Sequence, residues 1–317
     1  MGYSGPIRTN PPTGEAAIWL FGYVPSLAMG IVGVITMLLV AGPHAFYLFT
    51  KRGVRSVHLL FAFAAAIEAL GFGARLYSNT WEFDGMGFLV GMSLIQLATV
   101  LLTAGLYKSV QRNAKYFPVP VGMQLSPMRP RSMLSLFIIL DVIFVLFQIG
   151  GQYLASSAQA AEFTGTEPMF SVGTSTLIFL SGNVLQAISI IVFAAFVLVI
   201  KKRVNRVLSS ADPATDYPLS QALLTQILIS VGLFLIRLIV RIAQGAQGIY
   251  GYAATHEWVF GVFEYLPIFL ILVLWAVKPL HSFLFPLGHR HGEGAHTRIH
   301  PGDSVAPSSS GNIADKA

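Results

Sequence analysis

Apolar residues fall into seven runs, at about 24–49, 57–76, 86–107, 133–154, 175–200, 221–242 and 258–280, separated by short polar links. A run of about twenty apolar residues is what an α-helix needs to cross about 30 Å of hydrocarbon. The alternating ten-residue segments of a membrane β-barrel do not occur. The pattern predicts an all-α membrane protein with seven transmembrane helices in one bundle over residues 24–280. A proline-rich stretch, 1–23, reads as a flexible extracellular head, and 281–317, rich in Gly, Ser and His, as a disordered cytosolic tail. Pro25 stands at the entrance of the first span, where proline is tolerated, and Pro43 inside it, where a kink is expected.

Composition agrees. Hydrophobic residues make up 54% of the 317 and charged residues 11%, against about 25% charged in a soluble domain. There is no cysteine, which excludes disulfides, thiol nucleophiles and thiolate metal sites. No cleavable signal peptide is visible, so the first span is expected to act as its own insertion signal. The net charge of +6 is a topology signal rather than a sign of nucleic-acid binding. Of the 20 lysines and arginines, all but Arg8, Arg75, Arg237 and Arg241 fall in or beside the links and tail on one side of the membrane. The positive-inside rule then puts the N-terminus outside and the C-terminus in the cytosol.

The candidate chemistry lies in polar residues that interrupt the apolar spans. Arg237 and Arg241 are four apart and share a helix face, which Gln244 continues. Glu257 and Glu264 are seven apart on the last span, Glu68 and Arg75 on the second, and Asp141 and Gln148 on the fourth. Counting 1.5 Å per residue, Glu68 and Asp141 fall near mid-membrane and the others in the outer half. Charge inside a span costs several kcal/mol unless paired or wetted, so these side chains are expected to face the bundle interior. Glu68, Asp141, Arg237 and Glu264 are expected to line one connected polar pocket. Two readings of the cluster stand side by side: a ligand site, or internal ion pairs that only fix helix packing. The glycines at 71 and 73, 150 and 151, and 245, 248 and 251 read as close-packing points or as unwound backbone beside a cavity.

Enzyme signatures are missing. There is no HExxH, no GxSxG and no phosphate loop, and the tail histidines His289, His291, His296 and His300 read as solvated spacers. Neither a metal, a cofactor nor an enzymatic activity is expected. Lys278 lies at the end of the seventh span rather than at its middle, unlike the lysine of a light-driven pump.

The segments EALGFGAR (Glu68, Gly71, Arg75), DVIFVLFQIGG (Asp141, Gln148, Gly150, Gly151) and the arginine pair followed by QG, HE and FEYLP resemble the fungal RTA-like lipid-translocating exporter family over roughly 24–280. Phe72, Thr99, Gln244 and Lys278 depart from its pattern, where tyrosine, proline, glutamate and histidine are usual. The resemblance implies a multi-pass protein, most naturally of the plasma membrane, that translocates or exports amphipathic molecules such as sphingoid bases, phospholipids or toxic sterol-like amphiphiles and so confers resistance. Its partners would be such an amphiphile and membrane lipids, not nucleic acid. The substrate-binding candidates are Glu68, Arg75, Asp141, Gln148, Arg237, Arg241 and Glu264, with Asp141 and Glu264 expected to hold an amine and Gln148 and Arg237 to shape its site. The alternative is a seven-span receptor or sensor of an extracellular amphiphile. Against it, the cytosolic end of span three reads LYKSVQR, without an acidic-arginine pair, and span seven has no NPxxY.

The topology has a direct test: a glycosylation acceptor inserted in the link after span four should be modified and one after span five should not. The reverse pattern would invert the orientation.

Overall fold

The computed structural model describes residues 5–12, 15–115, 126–210, 220–248 and 250–284. Seven long helices carry the chain: α1 (Leu27–Thr50), α2 (Arg55–Thr80), α3 (Gly85–Ala114), α4 (Pro130–Thr164), α5 (Val172–Ser210), α6 (Ser220–Gln247) and α7 (Glu257–Val277). A five-residue helix α8, Leu280–Leu284, follows. All seven long helices are long and apolar enough to span a membrane, and the described residues contain no strand beyond a single bridge between Glu15 and Asp84.

Several helices outrun the apolar stretches that predict them. α5, at 39 residues, is about 58 Å long, nearly twice the hydrocarbon thickness. The extra turns are polar: Lys108 and Arg112 continue α3, and Lys201, Lys202, Arg203 and Arg206 continue α5. Lys and Arg are good helix formers, and outside hydrocarbon nothing forces the helix to stop. Stops occur where the backbone supplies one, as at Gly165, which takes φ 69° to end α4. Two of the starts carry side-chain caps: the Ser26 side chain accepts from the Met29 N–H at 3.2 Å ahead of α1, and Asp84 from the Gly87 N–H at 2.7 Å ahead of α3.

Each long helix packs on the next in sequence, α7 returns to α1, and α3 also reaches across to α6. α3 is therefore the axis, with 67% of its span buried against 28% for α1 on the outside. Apolar side chains such as Leu39, Phe49 and Val277 are exposed on the outer surface, as a lipid-facing belt requires. At the end carrying the basic residues, His44 on α1 and His58 on α2 meet through their Nδ1 atoms at 3.1 Å, and the other ring nitrogen of His44 donates to the Leu272 carbonyl.

The described part of the N-terminal segment is folded onto the opposite end, called the head end below. This differs from the flexible head its prolines suggest. The Ala16 N–H donates to the Phe83 carbonyl at 2.7 Å, Trp19 Nε1 donates to Glu82 at 3.0 Å, and Ala17 and Ile18 are buried. A few main-chain bonds and two apolar anchors fix a segment whose own propensities are weak. At the other terminus, His281–Leu284 belong to a packed helix rather than to a tail, with Phe283 and Leu284 buried; the rest of the expected tail lies outside the described residues.

Two glycines that are adjacent in sequence have different tasks. A Cβ on Gly151 would lie 2.3 Å from the Phe179 backbone nitrogen of α5, whereas one on Gly150 would meet nothing within 4 Å. Close packing is therefore the role of Gly151 alone. Gly151→Ala should cost about 1–3 kcal/mol or more through forced backbone displacement, lowering the melting temperature in detergent. Gly150→Ala should be neutral or stabilising by about 0.5–1 kcal/mol; equal melting of the two variants would contradict the packing described here.

Candidate functional site

α6 presents Arg237 and Arg241 on one face, one turn apart, toward α7. There the chain takes a wide turn. Phe260–Tyr265 is π-helical, with the Leu266 N–H bonded to the Gly261 carbonyl five residues back, and Pro267, which has no N–H to offer, follows at once. The extra residue in that turn sends Tyr265 outward to Thr36 of α1, at 2.8 Å, and leaves Glu264 buried between the two arginines. Arg237 Nη2 approaches Glu264 Oε2 at 3.3 Å and Arg241 Nη1 approaches Oε1 at 3.0 Å. One carboxylate thus bridges two guanidiniums, all three side chains at most 2% exposed.

From this clamp a line of amides crosses the bundle. Arg237 Nη2 also donates to Gln96 Oε1 on α3, Gln96 Nε2 donates to Gln148 Oε1 on α4 at 2.6 Å, and Gln148 Nε2 to Gln186 Oε1 on α5 at 2.8 Å. Guanidinium can only donate, so the amide of Gln96 must turn its oxygen to Arg237 and its nitrogen away, and each glutamine passes that orientation to the next. Gln186 then neighbours Asp141, and the Gln186 Nε2 and Asp141 Oδ1 atoms are buried without another partner. The second oxygen of Asp141 accepts from Thr103 at 2.6 Å and Tyr107 at 2.7 Å, both on α3. The line starts at a cation and ends at an anion.

A second, outer pair sits closer to the head end. Arg75 Nη2 donates to Glu257 Oε1 at 3.2 Å and to the Tyr23 hydroxyl at 2.9 Å, and the Glu257 carboxylate also accepts from the Ser26 N–H. The Arg75 guanidinium carbon lies 4.0 Å from the Phe260 ring centroid and 4.8 Å from that of Phe21, so aromatic faces cover it. Burial holds the Tyr23 phenol above its ordinary pKa against the opposing pull of Arg75, which keeps it neutral.

Between the outer pair and the clamp opens a cleft of about 710 Å³, including its mouth. Arg75, Arg241, Glu264, Gln152 and Gln244 give it a polar floor, and Phe21, Phe88, Met92, Phe179 and Phe260 an apolar wall. Of the seven expected site residues, Arg75, Arg241 and Glu264 line this cleft, while Glu68, Asp141, Gln148 and Arg237 are buried outside its lining. The expected single pocket around Glu68, Asp141, Arg237 and Glu264 is thus a cleft touching one of them, backed by the amide line that reaches Asp141. Glu68 faces Arg237 electrostatically, and its Oε2 finds no hydrogen-bond donor. Arg241 and Glu257, which at span ends could have snorkelled, are instead engaged in pairs.

Sequence reasoning did not find Thr103 and Tyr107, although Gln96, Thr103 and Tyr107 mark one face of α3 at seven- and four-residue spacing. Tyr23 and Phe21 had no signal, since they precede the first span. Gln244, where the resembled family carries glutamate, donates its amide to the Ala253 carbonyl at 3.1 Å, a bond that a carboxylate cannot make.

A seven-helix membrane bundle with a charged, half-apolar cleft at one end is the class of protein that fold and site define. The family of RTA1 like proteins matches residues 61–286, and the chain belongs to it. Protein RTA1 of Saccharomyces cerevisiae (strain ATCC 204508 / S288c) is 26% identical over 223 residues, which cover 69% of this chain and 64% of that relative's length. No solved structure matches.

The two ion pairs should respond differently to loss of their acid. Glu264→Gln leaves two buried guanidiniums facing each other and should destabilise by about 3–5 kcal/mol. Glu257→Gln removes the carboxylate from Arg75, whose side chain is 2% exposed, but the Glu257 side chain is 21% exposed and a glutamine oxygen can still accept from Arg75, so the loss should be smaller, about 1–3 kcal/mol. Thermal unfolding in detergent checks this; a smaller loss for Glu264→Gln would show that the clamp does not hold the bundle.

Proposed function

We propose that the protein binds amphipathic molecules in the head-end cleft and translocates or exports them across the plasma membrane, lowering their accumulation in the cell. The observation that carries this reading is the cleft itself: a charged floor and an aromatic and methionine wall meet inside a membrane bundle, and an amphiphile needs both. A polar head placed in hydrocarbon loses its hydrogen bonds, whereas here the floor replaces them. Family membership supports the same reading, because resemblance to the lipid-translocating exporters implies such substrates. Of the candidate binding residues, Arg75, Arg241 and Glu264 then contact the head group, and Arg237, Gln148, Asp141 and Glu68 hold those three in place from behind. With the N-terminus outside, as the charge distribution indicates, the cleft faces the outer leaflet.

The test is accumulation of tail-labelled amphiphiles bearing amine, phosphate or uncharged heads, in cells expressing wild type, Arg241→Gln or neither, at equal surface level. Wild type should lower accumulation of at least one of them about tenfold, and Arg241→Gln should return it toward the empty-vector level. A receptor would give a cytosolic response with unchanged accumulation. Equal accumulation of every probe in all three strains would remove the export reading.

A further inference from the structure

The cleft also has a preference in charge, and it is opposite to the one suggested by the number of acids in the sequence. Each acid near the floor is already occupied. Glu264 is bridged by Arg237 and Arg241, and Glu257 by Arg75 and the Ser26 N–H. Asp141, which the sequence offers as an amine holder, accepts from Thr103 and Tyr107 and lies outside the lining. Glu68 stands behind Arg237, also outside the lining.

The guanidiniums are in surplus. Arg75, Arg237 and Arg241 carry about fifteen N–H donors between them. The hydrogen bonds they make to Tyr23, Glu257, Gln96, Glu264 and Gln152 number six. The Nε atoms of all three, and Nη1 of Arg237, are buried with no acceptor. Unpaired buried donors on a charged group are costly, and the two arginines that line the cleft are at most 2% exposed. Two positive charges and one negative charge face the cleft directly. Arg75 between Phe21 and Phe260, and Arg241 with its guanidinium carbon 5.0 Å from the Phe179 centroid, keep their faces on aromatic rings, so an acceptor can approach these guanidiniums only along their N–H edges. Planar edges of this kind suit phosphate or carboxylate oxygens.

A path for a tail adjoins the same floor. A narrower gap between α3 and α4, lined by Leu89, Ser93, Ile149 and Tyr153, shares Phe88, Met92 and Gln152 with the cleft. Tyr153 is 50% exposed on the outer surface, so the gap lies between the cleft and the lipid side of the bundle, and a tail entering it would have to push α3 and α4 side chains apart.

Resting on the amphiphile reading above, we propose that the ligand is an anionic single-chain amphiphile, its phosphate or carboxylate head between Arg75 and Arg241 and its tail passing between α3 and α4. Head-group anion and free anion share the same chemistry at the floor, and the tail separates them.

The test uses the purified full chain in detergent, with binding read by thermal shift and by tryptophan fluorescence titration. The probes are oleoyl lysophosphatidic acid, oleylamine and inorganic phosphate. The phosphate lipid should bind at least about tenfold tighter than either other probe. Arg241→Gln and Arg75→Gln should each lose about tenfold for it. Met92→Trp, which fills the junction of cleft and gap, should weaken the lipid and leave phosphate unchanged. Arg241→Lys keeps the charge and the pairing with Glu264, so it serves if Arg241→Gln does not fold, and it should weaken the phosphate lipid about tenfold by loss of the planar edge. Tighter binding of oleylamine overturns the anionic assignment while leaving the amphiphile reading standing. Phosphate binding as tightly as the lipid overturns the tail path. No binding of either lipid overturns both readings together.

Discussion

A single carboxylate shared by two arginines is the constraint on which the rest of this structure depends. Three ionised groups out of water demand that every neighbouring helix supply a polar partner, and the bundle does so: α7 gives Glu264, α6 both arginines, α3 Gln96 and α4 Gln152. The energetic consequence is specificity rather than bulk stability, since a buried ion pair is about neutral against a well-packed apolar replacement but costly when half of it is lost. It fixes which way each helix is rotated. In lipid, where apolar faces gain little by choosing one another, that is what the sequence must specify.

The clamp needs two departures from regular helix geometry. The π turn before Pro267 aims Glu264 inward while Tyr265 goes outward to α1. The bare backbone at Gly151 lets α5 come within contact of α4, which carries Phe179 to the face of Arg241 and closes the cleft wall. Both are places where the regular pattern is interrupted beside the cleft.

Much of this was legible in the sequence. The seven helices follow from apolar run length, and burial of Glu68, Arg75, Asp141, Arg237, Arg241 and Glu264 from the cost of charge in hydrocarbon. Pairing was not legible. Glu264 lies seven residues from Glu257, which suggests one stripe and one role, yet the π turn between them sends one acid to Arg75 and the other to the clamp. Helical spacing assumes a uniform turn, and here the turn is not uniform. The cleft also excludes Asp141, whose donors are hydroxyls on α3 that no charge pattern marks. The folded N-terminal segment was hidden because its order comes from contacts with the α2–α3 link, residues remote in sequence.

The central claim is that this cleft is a ligand site and not merely a packing gap. Because the chain contains no cysteine, one thiol reports on it without background. Thr176→Cys places that thiol on the cleft wall, and Ser157→Cys places one on an exposed position of α4. A small methanethiosulfonate reagent should modify both, and an amphiphile bound in the cleft, with oleoyl lysophosphatidic acid as the probe, should slow the reaction at position 176 about tenfold while leaving position 157 unchanged. Rates at position 176 unchanged by saturating oleoyl lysophosphatidic acid and by saturating oleylamine alike would contradict the account.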